Sequence, residues 1–321
     1  MKRFALIGVG GYIAPRHLRA IKETGNVLVA ALDPCDSVGI LDSYFPDSDF
    51  FTEFERFDRH LEKLRRKGEG VDYVSICSPN YLHDAHVRFG LRIGADVICE
   101  KPLVLNPWNV DGLEEISRET GGRINTILQL RLHPAVKALK TRVAQSPPSK
   151  MFDVELTYVT SRGRWYMFSW KGDVKKSGGI ANNIGIHFFD MLCDVFGRAR
   201  RNSVHHYEAR KAAGCLELER AKVRWFLSID ANDLPTRSAD GSPRTYRSIT
   251  VDGEEVEFSR GFDDLHTESY REILAGRGFG PEVVRPSIEI VADIRNAAPV
   301  ECTDGCHPLL AAIRRRAAAG K

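Results

Sequence analysis

Phe4-Ala5-Leu6-Ile7-Gly8-Val9-Gly10-Gly11-Tyr12-Ile13-Ala14 is the stretch on which the fold turns. The apolar run from Phe4 to Val9 is short and bounded by glycines, which favours a buried strand over a helix. Pro15 then opens a segment with Leu18 and Ile21 on one face, so a helix follows directly. A strand that turns through glycines into a helix brings backbone amides and the positive end of a helix dipole to one place. Gly8 permits the tight turn, and Gly10 lets a pyrophosphate approach the backbone. Ile13, with Ala14 beside it, replaces the third glycine of this pattern, a change that touches helix–strand packing and leaves the phosphate cradle. Asp33 ends a second strand, Val27 to Leu32, where a carboxylate accepts from adenosine ribose hydroxyls. Its charge repels a 2′-phosphate. Gly8, Gly10, Gly11, Tyr12, Ile13 and Asp33 are therefore expected to hold a dinucleotide, NAD in preference to NADP.

The pattern repeats outward from this turn. Val71 to Cys77, Ala95 to Cys99 and Ile124 to Leu130 read as further strands, and Leu82 to Ile93 and Pro107 to Thr120 as helices. Alternating strands and helices predict a doubly wound parallel sheet with helices on both faces. Ligands then bind at the carboxyl ends of the strands, where Gly8, Gly10, Asp33, Ser78, Asn80, Glu100 and Lys101 fall. Beyond about residue 150 the texture changes. Met151 to Thr160, Val223 to Asp230 and Ser248 to Phe258 look like antiparallel strands. Helical patterns cover Ile186 to Phe196, Thr267 to Leu274 and Ile288 to Ala297. These predict an α+β domain, with Pro147-Pro148-Ser149 a loop near the changeover and Arg314 to Lys321 a solvated helix end.

Composition narrows the classes of function. The 321 residues hold 43% hydrophobic and 28% charged side chains, ordinary for a globular chain. Lys and Arg number 46 against 43 Asp and Glu, a net charge of +3, which gives no basis for a nucleic-acid or membrane-surface partner. Lys2-Arg3 precedes an apolar run too short for a signal peptide, and no run is long enough to span a membrane. Seven cysteines, an odd number with several in apolar runs, read as free thiols of a reducing compartment, so a cytoplasmic location is expected. Cys302, Cys306 and His307 lie close in sequence but fit no common zinc spacing, and no metal is expected there.

Two further features carry chemistry. Lys101, in Glu100-Lys101-Pro102 after a strand, either polarises a substrate hydroxyl or is a surface lysine in a turn. Gly178-Gly179-Ile180-Ala181-Asn182-Asn183-Ile184-Gly185-Ile186-His187 places Asn183 and His187 four apart, on one face of a helix. His187 there is either a general base or a structural histidine. Between Ser161 and Lys176 lie Arg162, Arg164, Lys171, Lys175 and Lys176, interleaved with Trp165, Tyr166 and Trp170. Guanidinium groups bind phosphate or carboxylate in bidentate fashion, and the aromatics can cover a base or sugar; the alternative is a solvated loop over packed rings.

Taken together, the glycine turn, Ser78-Pro79-Asn80 with Leu82-His83, Glu100-Lys101-Pro102, Arg131-Leu132-His133-Pro134 and the glycine-rich stretch before His187 resemble the Gfo/Idh/MocA oxidoreductases over nearly the whole chain. The resemblance implies an N-terminal Rossmann domain (1–122) and a C-terminal α/β domain (123–321) on a large, mostly antiparallel sheet that binds substrate and mediates homo-oligomers, commonly tetramers. It matches the family's lysine to Lys101 and its catalytic histidine to His187, and it implies that Ser78, Asn80, His83, Glu100 and Gln129 join the cofactor site. The family's usual aspartate four residues before the histidine is Asn183 here, and an amide cannot take a proton, though it can orient substrate. Gly11 to His17, Asn182-Asn183 and Asp264-Leu265-His266-Thr267 with Tyr270 are similar to the bacterial UDP-N-acetylglucosaminuronate 3-dehydrogenases of O-antigen sugar synthesis. That subgroup implies oxidation of a sugar C3 hydroxyl, with 2-oxoglutarate regenerating the cofactor in some members. Arg16, His17, Arg162, Arg164, Trp165, Tyr166, Lys171, Asn182, Asn183 and His187, with Lys101, are the candidate substrate contacts. The rival readings are another sugar or inositol as substrate, or a dinucleotide-binding regulator, which would need neither Lys101 nor His187.

Overall fold

The computed structural model describes residues 1–235, 245–257, 264–302 and 305–319. The chain forms two compact units, Met1–Leu132 with Asp263–Arg285, and His133–Phe262 with Pro286–Lys321. The boundary expected at 122/123 falls ten residues later, because Ile124–Thr126 pairs in parallel with Asp96–Cys99 and so belongs to the first sheet.

The first unit runs β1 (Arg3–Ile7), α1 (Ala14–Glu23), β2 (Val27–Leu32), α2 (Ile40–Tyr44), β3 (Asp49–Phe51), α3 (Phe54–Arg66), β4 (Tyr73–Ile76), α4 (His83–Arg92), β5 (Asp96–Cys99), α5 (Pro107–Thr120) and β6 (Ile124–Thr126). Its six described strands are parallel and ordered β3-β2-β1-β4-β5-β6. That is the Rossmann order, with its switch point between β1 and β4. Both faces are covered, so β1 and β4 are almost continuously apolar. The strand expected from Ile124 to Leu130 stops at Thr126, and Gln129–Leu132 is a short 3₁₀ turn. Sequence reading left α3 unassigned. Only Phe57 and Leu61 of its thirteen residues are buried, so its apolar stripe is thin.

The second unit begins with α6 (Pro134–Gln145), then β7 (Phe152–Thr160), two single turns α7 (Trp165–Phe168) and α8 (Val174–Ser177), and α9 (Ile186–Phe196). β8 (Ala199–Glu208), β9 (Lys211–Leu218), β10 (Ala221–Ser228), β11 (Thr245–Val251) and β12 (Glu254–Glu255) follow. The described sheet is ordered β12-β11-β7-β10-β9-β8. Only β7 and β10 pair in parallel, which makes the sheet mixed but mostly antiparallel. Phe152 and Tyr158 pack on Phe196 and Phe188 of α9 on one face. Val159, Ala213 and Phe226 form a small core with Leu310 on the other. β8 and β9 were not expected: β9 is buried on both faces and shows no alternation. Phe258, the expected end of a strand, lies outside the described residues, as do Gly320 and Lys321.

Three helices close the chain: α10 (Leu265–Leu274), α11 (Pro281–Asn296) and α12 (Pro308–Ala319). α10 belongs to the first unit and packs along α1, so the first unit is built from two separated stretches of chain.

Candidate active site

The turn after β1 has the geometry that a dinucleotide needs. Gly8 has φ +89°, and a Cβ there would lie 2.7 Å from the backbone of Cys77 and Ser78 at the end of β4. Gly8 N donates to Leu32 O at 2.7 Å, which ties the turn to the end of β2. Asp33 caps that end: its Oδ2 accepts from Gly10 N at 2.9 Å and its Oδ1 from Cys35 N. The glycine cradle and the acid expected to read the ribose are therefore in direct contact. The Tyr12 side chain is 92% exposed, so Tyr12 contributes to the turn through its backbone. Gln129 Oε1 is buried with no hydrogen-bond partner, a polar atom without use for the protein's own packing. A close-approach cradle, a carboxylate at its rim and an orphaned acceptor fit a nicotinamide dinucleotide.

Several expected contacts are instead committed to the interior. His17 is fully buried, with Nδ1 2.8 Å from Tyr270 Oη and Nε2 3.0 Å from Glu100 Oε1. It cannot reach a substrate, contrary to the sequence expectation, because both ring nitrogens are used and none of its surface is accessible. Glu100 Oε1 also accepts from His266 Nε2 at 3.0 Å, and Glu100 Oε2 from the Lys101 amide at 3.3 Å. This buried carboxylate ties α1, α10 and the loop after β5 together inside the first unit. His83 Nδ1 lies 2.7 Å from Pro102 O and Nε2 2.8 Å from Ser78 O. It clamps the loop after β4 to the loop after β5, so its ring is also taken. Ser78 Oγ meets His86 Nδ1 at 2.9 Å. Asn80 is buried beside this clamp, and Lys101, half-buried, precedes a cis peptide to Pro102.

The protons of the buried chain have one consistent arrangement. Burial acts to raise the Glu100 carboxyl, but hydrogen bonds from His17 and His266 hold it well below the usual carboxylate range. Burial lowers the His17 pKa, so its ring is neutral, and burial raises the Tyr270 phenol well above its ordinary value. His17 and His266 then each donate from Nε2 to Glu100, Tyr270 donates to His17 Nδ1, and Ser75 Oγ donates to Tyr270 Oη at 2.7 Å. Sequence reading noted His17, His266 and Tyr270 as shared features but had no way to join them. Arg16, half-buried, lines a surface pocket with Pro15, Arg19, Tyr44, His266 and Thr267.

In the second unit, Gly178 and Gly179 both take positive φ, at +80° and +81°, and lead into a π-helical turn, Ala181–Gly185, before α9. Such widened turns re-aim side chains and recur at functional sites. Asn183 sits in this turn and donates to Tyr166 Oη, while His187 is half-buried in the first turn of α9. Tyr166 is 3% exposed, and burial raises its phenol pKa. It therefore holds Asn183 and presents no open face to substrate. Asn182 is fully buried and donates to Ser177 O, which makes it a support of the turn. Arg162, Arg164 and Trp165 are exposed. Lys171 stacks on Trp170, 4.5 Å from the ring centre, with Trp165 at 5.8 Å. That stretch offers an accessible aromatic and basic surface.

A Rossmann sheet with a glycine turn at its switch point and a carboxylate closing β2 defines a dinucleotide-binding domain of the NAD type. The chain belongs to the Gfo/Idh/MocA oxidoreductase family: the family's NAD-binding Rossmann domain matches residues 2–127 and its C-terminal α/β domain residues 149–233. The chain is 55% identical to the WlbA (WbpB) dehydrogenase from Thermus thermophilus, solved in complex with NAD and UDP-GlcNAcA and in complex with NAD and alpha-ketoglutarate. That match covers 96% of this chain and 99% of the other, with a TM-score of 0.92. The WlbA dehydrogenase from Bordetella pertussis shares the fold at 18% identity, covering 91% of this chain and 94% of the other, with a TM-score of 0.74. Among curated proteins, glucose-6-phosphate 3-dehydrogenase of Bacillus subtilis is 24% identical over 61% of this chain and 54% of its own length. The chain thus spans about half the length of the curated relatives it matches.

Proposed function

We propose that this protein oxidises the C3 hydroxyl of UDP-N-acetylglucosaminuronate to the 3-keto sugar nucleotide, with NAD as cofactor. The observation that carries this reading is the 55% identity, over 96% of the chain, to a Thermus dehydrogenase solved with NAD and UDP-GlcNAcA. The cradle at Gly8, Gly10 and Asp33 supports the cofactor half of the reading.

When bound, NAD supplies the acceptor for the hydride that leaves C3. The amides from Gly10 to Ile13 would hold its pyrophosphate, and Asp33 would accept from its ribose hydroxyls. His187 takes the proton of the C3 hydroxyl, and Lys101 donates to that oxygen as negative charge builds on it. Asn183, anchored by Tyr166, cannot relay a proton and orients the sugar. Arg162, Arg164 and Lys171 meet the diphosphate or the uronate carboxylate, and Trp165 covers a ring face. The same reading makes the protein a cytoplasmic homotetramer of O-antigen sugar synthesis, with 2-oxoglutarate the candidate acceptor if the cofactor is retained.

Absorbance at the NADH band tests this directly, with purified protein, NAD and the sugar nucleotide. Steady growth means a released cofactor. A signal that stops at about one NADH per subunit, with turnover restored by 2-oxoglutarate, means a retained one. No reaction with this sugar, alongside oxidation of a free polyol, overturns the substrate. Lys101→Ala and His187→Ala are each expected to lower kcat by about 10²–10⁴ with NAD binding intact. Near-normal turnover in either variant removes that residue from the chemistry.

A further inference from the structure

Far in sequence from these residues, the second unit gathers a set of soft ligands. Val300 N donates to Val204 O at 2.8 Å, so the segment before α12 runs along β8, the edge strand of the described sheet. At this point β8 is bulged. Its register steps from Val204 opposite Gly214 to His206 opposite Ala213, which leaves His205 as the extra residue. A bulge re-aims a side chain, and it lies next to the incoming segment. His205 is 6% exposed, and its Nδ1 has no hydrogen-bond partner. Cys302 and Cys306 are hydrogen-bonded to each other, and Gly305 between them takes φ +83°. One ligand atom from each of His205, Cys302 and Cys306 lies within 4.8 Å of the other two.

We propose that His205, Cys302 and Cys306 form a structural binding site for a soft divalent cation, zinc by its chemistry. Two thiolates and a neutral imidazole supply three of zinc's four tetrahedral positions and leave the fourth to water, and the set contains no carboxylate that would favour a hard cation. Two thiolate charges balance a divalent ion, so the site is neutral when filled, which suits a half-buried position beside Arg314, whose Nη2 donates to His205 O at 2.8 Å. Both thiols bind as thiolates, so metal binding displaces their protons. The ion would pin the segment before α12 to the sheet edge, while His307 in the same segment is anchored by Thr157 of β7 at 3.0 Å and caps α12 through Leu309 N. The other group of three ligand types, His17, Glu100 and His266, needs no ion, because hydrogen bonds among its own members hold it together.

The test is metal analysis of the full-length protein, expressed with zinc in the medium, purified reduced and desalted. About one zinc per subunit is expected, and cobalt(II) in its place is expected to show thiolate-to-metal charge-transfer absorption. Cys302→Ser and Cys306→Ser should abolish retention, and His205→Asn should weaken it at least about tenfold. Cys35→Ser and His266→Asn, outside the cluster, should leave the metal content unchanged. The wild-type cobalt spectrum needs no variant to fold. Absence of both zinc and the cobalt–thiolate band overturns the proposal. So does a mass two hydrogens light that maps to a Cys302–Cys306 disulfide in metal-free protein.

Discussion

Glu100 is a charge inside a protein interior, and its partners make that tolerable. Two histidines aim N–H groups at one oxygen, and the Lys101 amide faces the other. Charge-assisted bonds of this kind are stronger than neutral ones, and they fix the backbone of the residue proposed to meet substrate. Tyr270→Phe removes the donor to His17 Nδ1 and the acceptor for Ser75. With both groups left buried and unpaired, the variant is expected to lose about 1–3 kcal/mol in denaturant unfolding. The opposite case is Asp33, whose carboxylate sits at an accessible rim. Asp33→Ser is expected to raise the KM for NAD by about tenfold or more, the effect of losing about 1.4 kcal/mol or more of charged hydrogen bonding. The same change should relax the bias against NADP. An unchanged ratio of kcat/KM for the two cofactors would show that Asp33 does not read the ribose.

At the scale of elements, the β1–α1 turn works because of where β4 ends. Gly8→Ala places a methyl 2.7 Å from the Cys77 and Ser78 backbone at positive φ, so β1 or β4 must shift. NAD affinity is expected to fall at least about tenfold, together with the melting temperature. Gly25→Ala is the matched control, since its φ is +73° with nothing within 4 Å of the added Cβ. It should cost only the local strain of about 1–2 kcal/mol and leave NAD affinity unchanged. Equal effects on affinity in the two variants would mean that strain, and not the cradle, governs binding. The glycine turn, β2 and α9 were legible from sequence because period and punctuation are local properties. β8, β9 and α3 were not: β9 is buried on both faces and loses its alternation, and α3 buries too few residues to show a stripe.

Over the whole molecule, buried histidines in both units set the response to acid. Burial lowers His86 in the first unit and His307 in the second from 6.5 to about 4. Between those values the unfolded chain binds protons that the folded chain refuses. Stability is therefore complete above pH 6.5 and falls as pH drops toward 4, by about 1.4 kcal/mol per pH unit for each such histidine. Denaturant midpoints at pH 7, 6 and 5 check this, and His86→Asn should flatten the slope. A slope unchanged by the substitution would show that His86 does not carry this term.

The sequence by itself determined the parallel sheet and the glycine turn with Asp33 at the end of β2, and it marked Lys101 and His187 as the candidates for proton transfer. Each is built from short runs of neighbouring residues, where backbone sterics and solvent exposure act locally. Only the tertiary structure decided which polar side chains meet. Tyr270 reaches His17 across 253 positions, and Glu100 joins His17 across 83 and His266 across 166. It turned His17 from a candidate substrate contact into an interior support. It also replaced His307 with His205 as the neighbour of Cys302 and Cys306, a pairing that spacing rules cannot register. The physical reason is that a buried polar group must find its partner wherever packing brings one within hydrogen-bond reach, and packing does not follow distance along the chain.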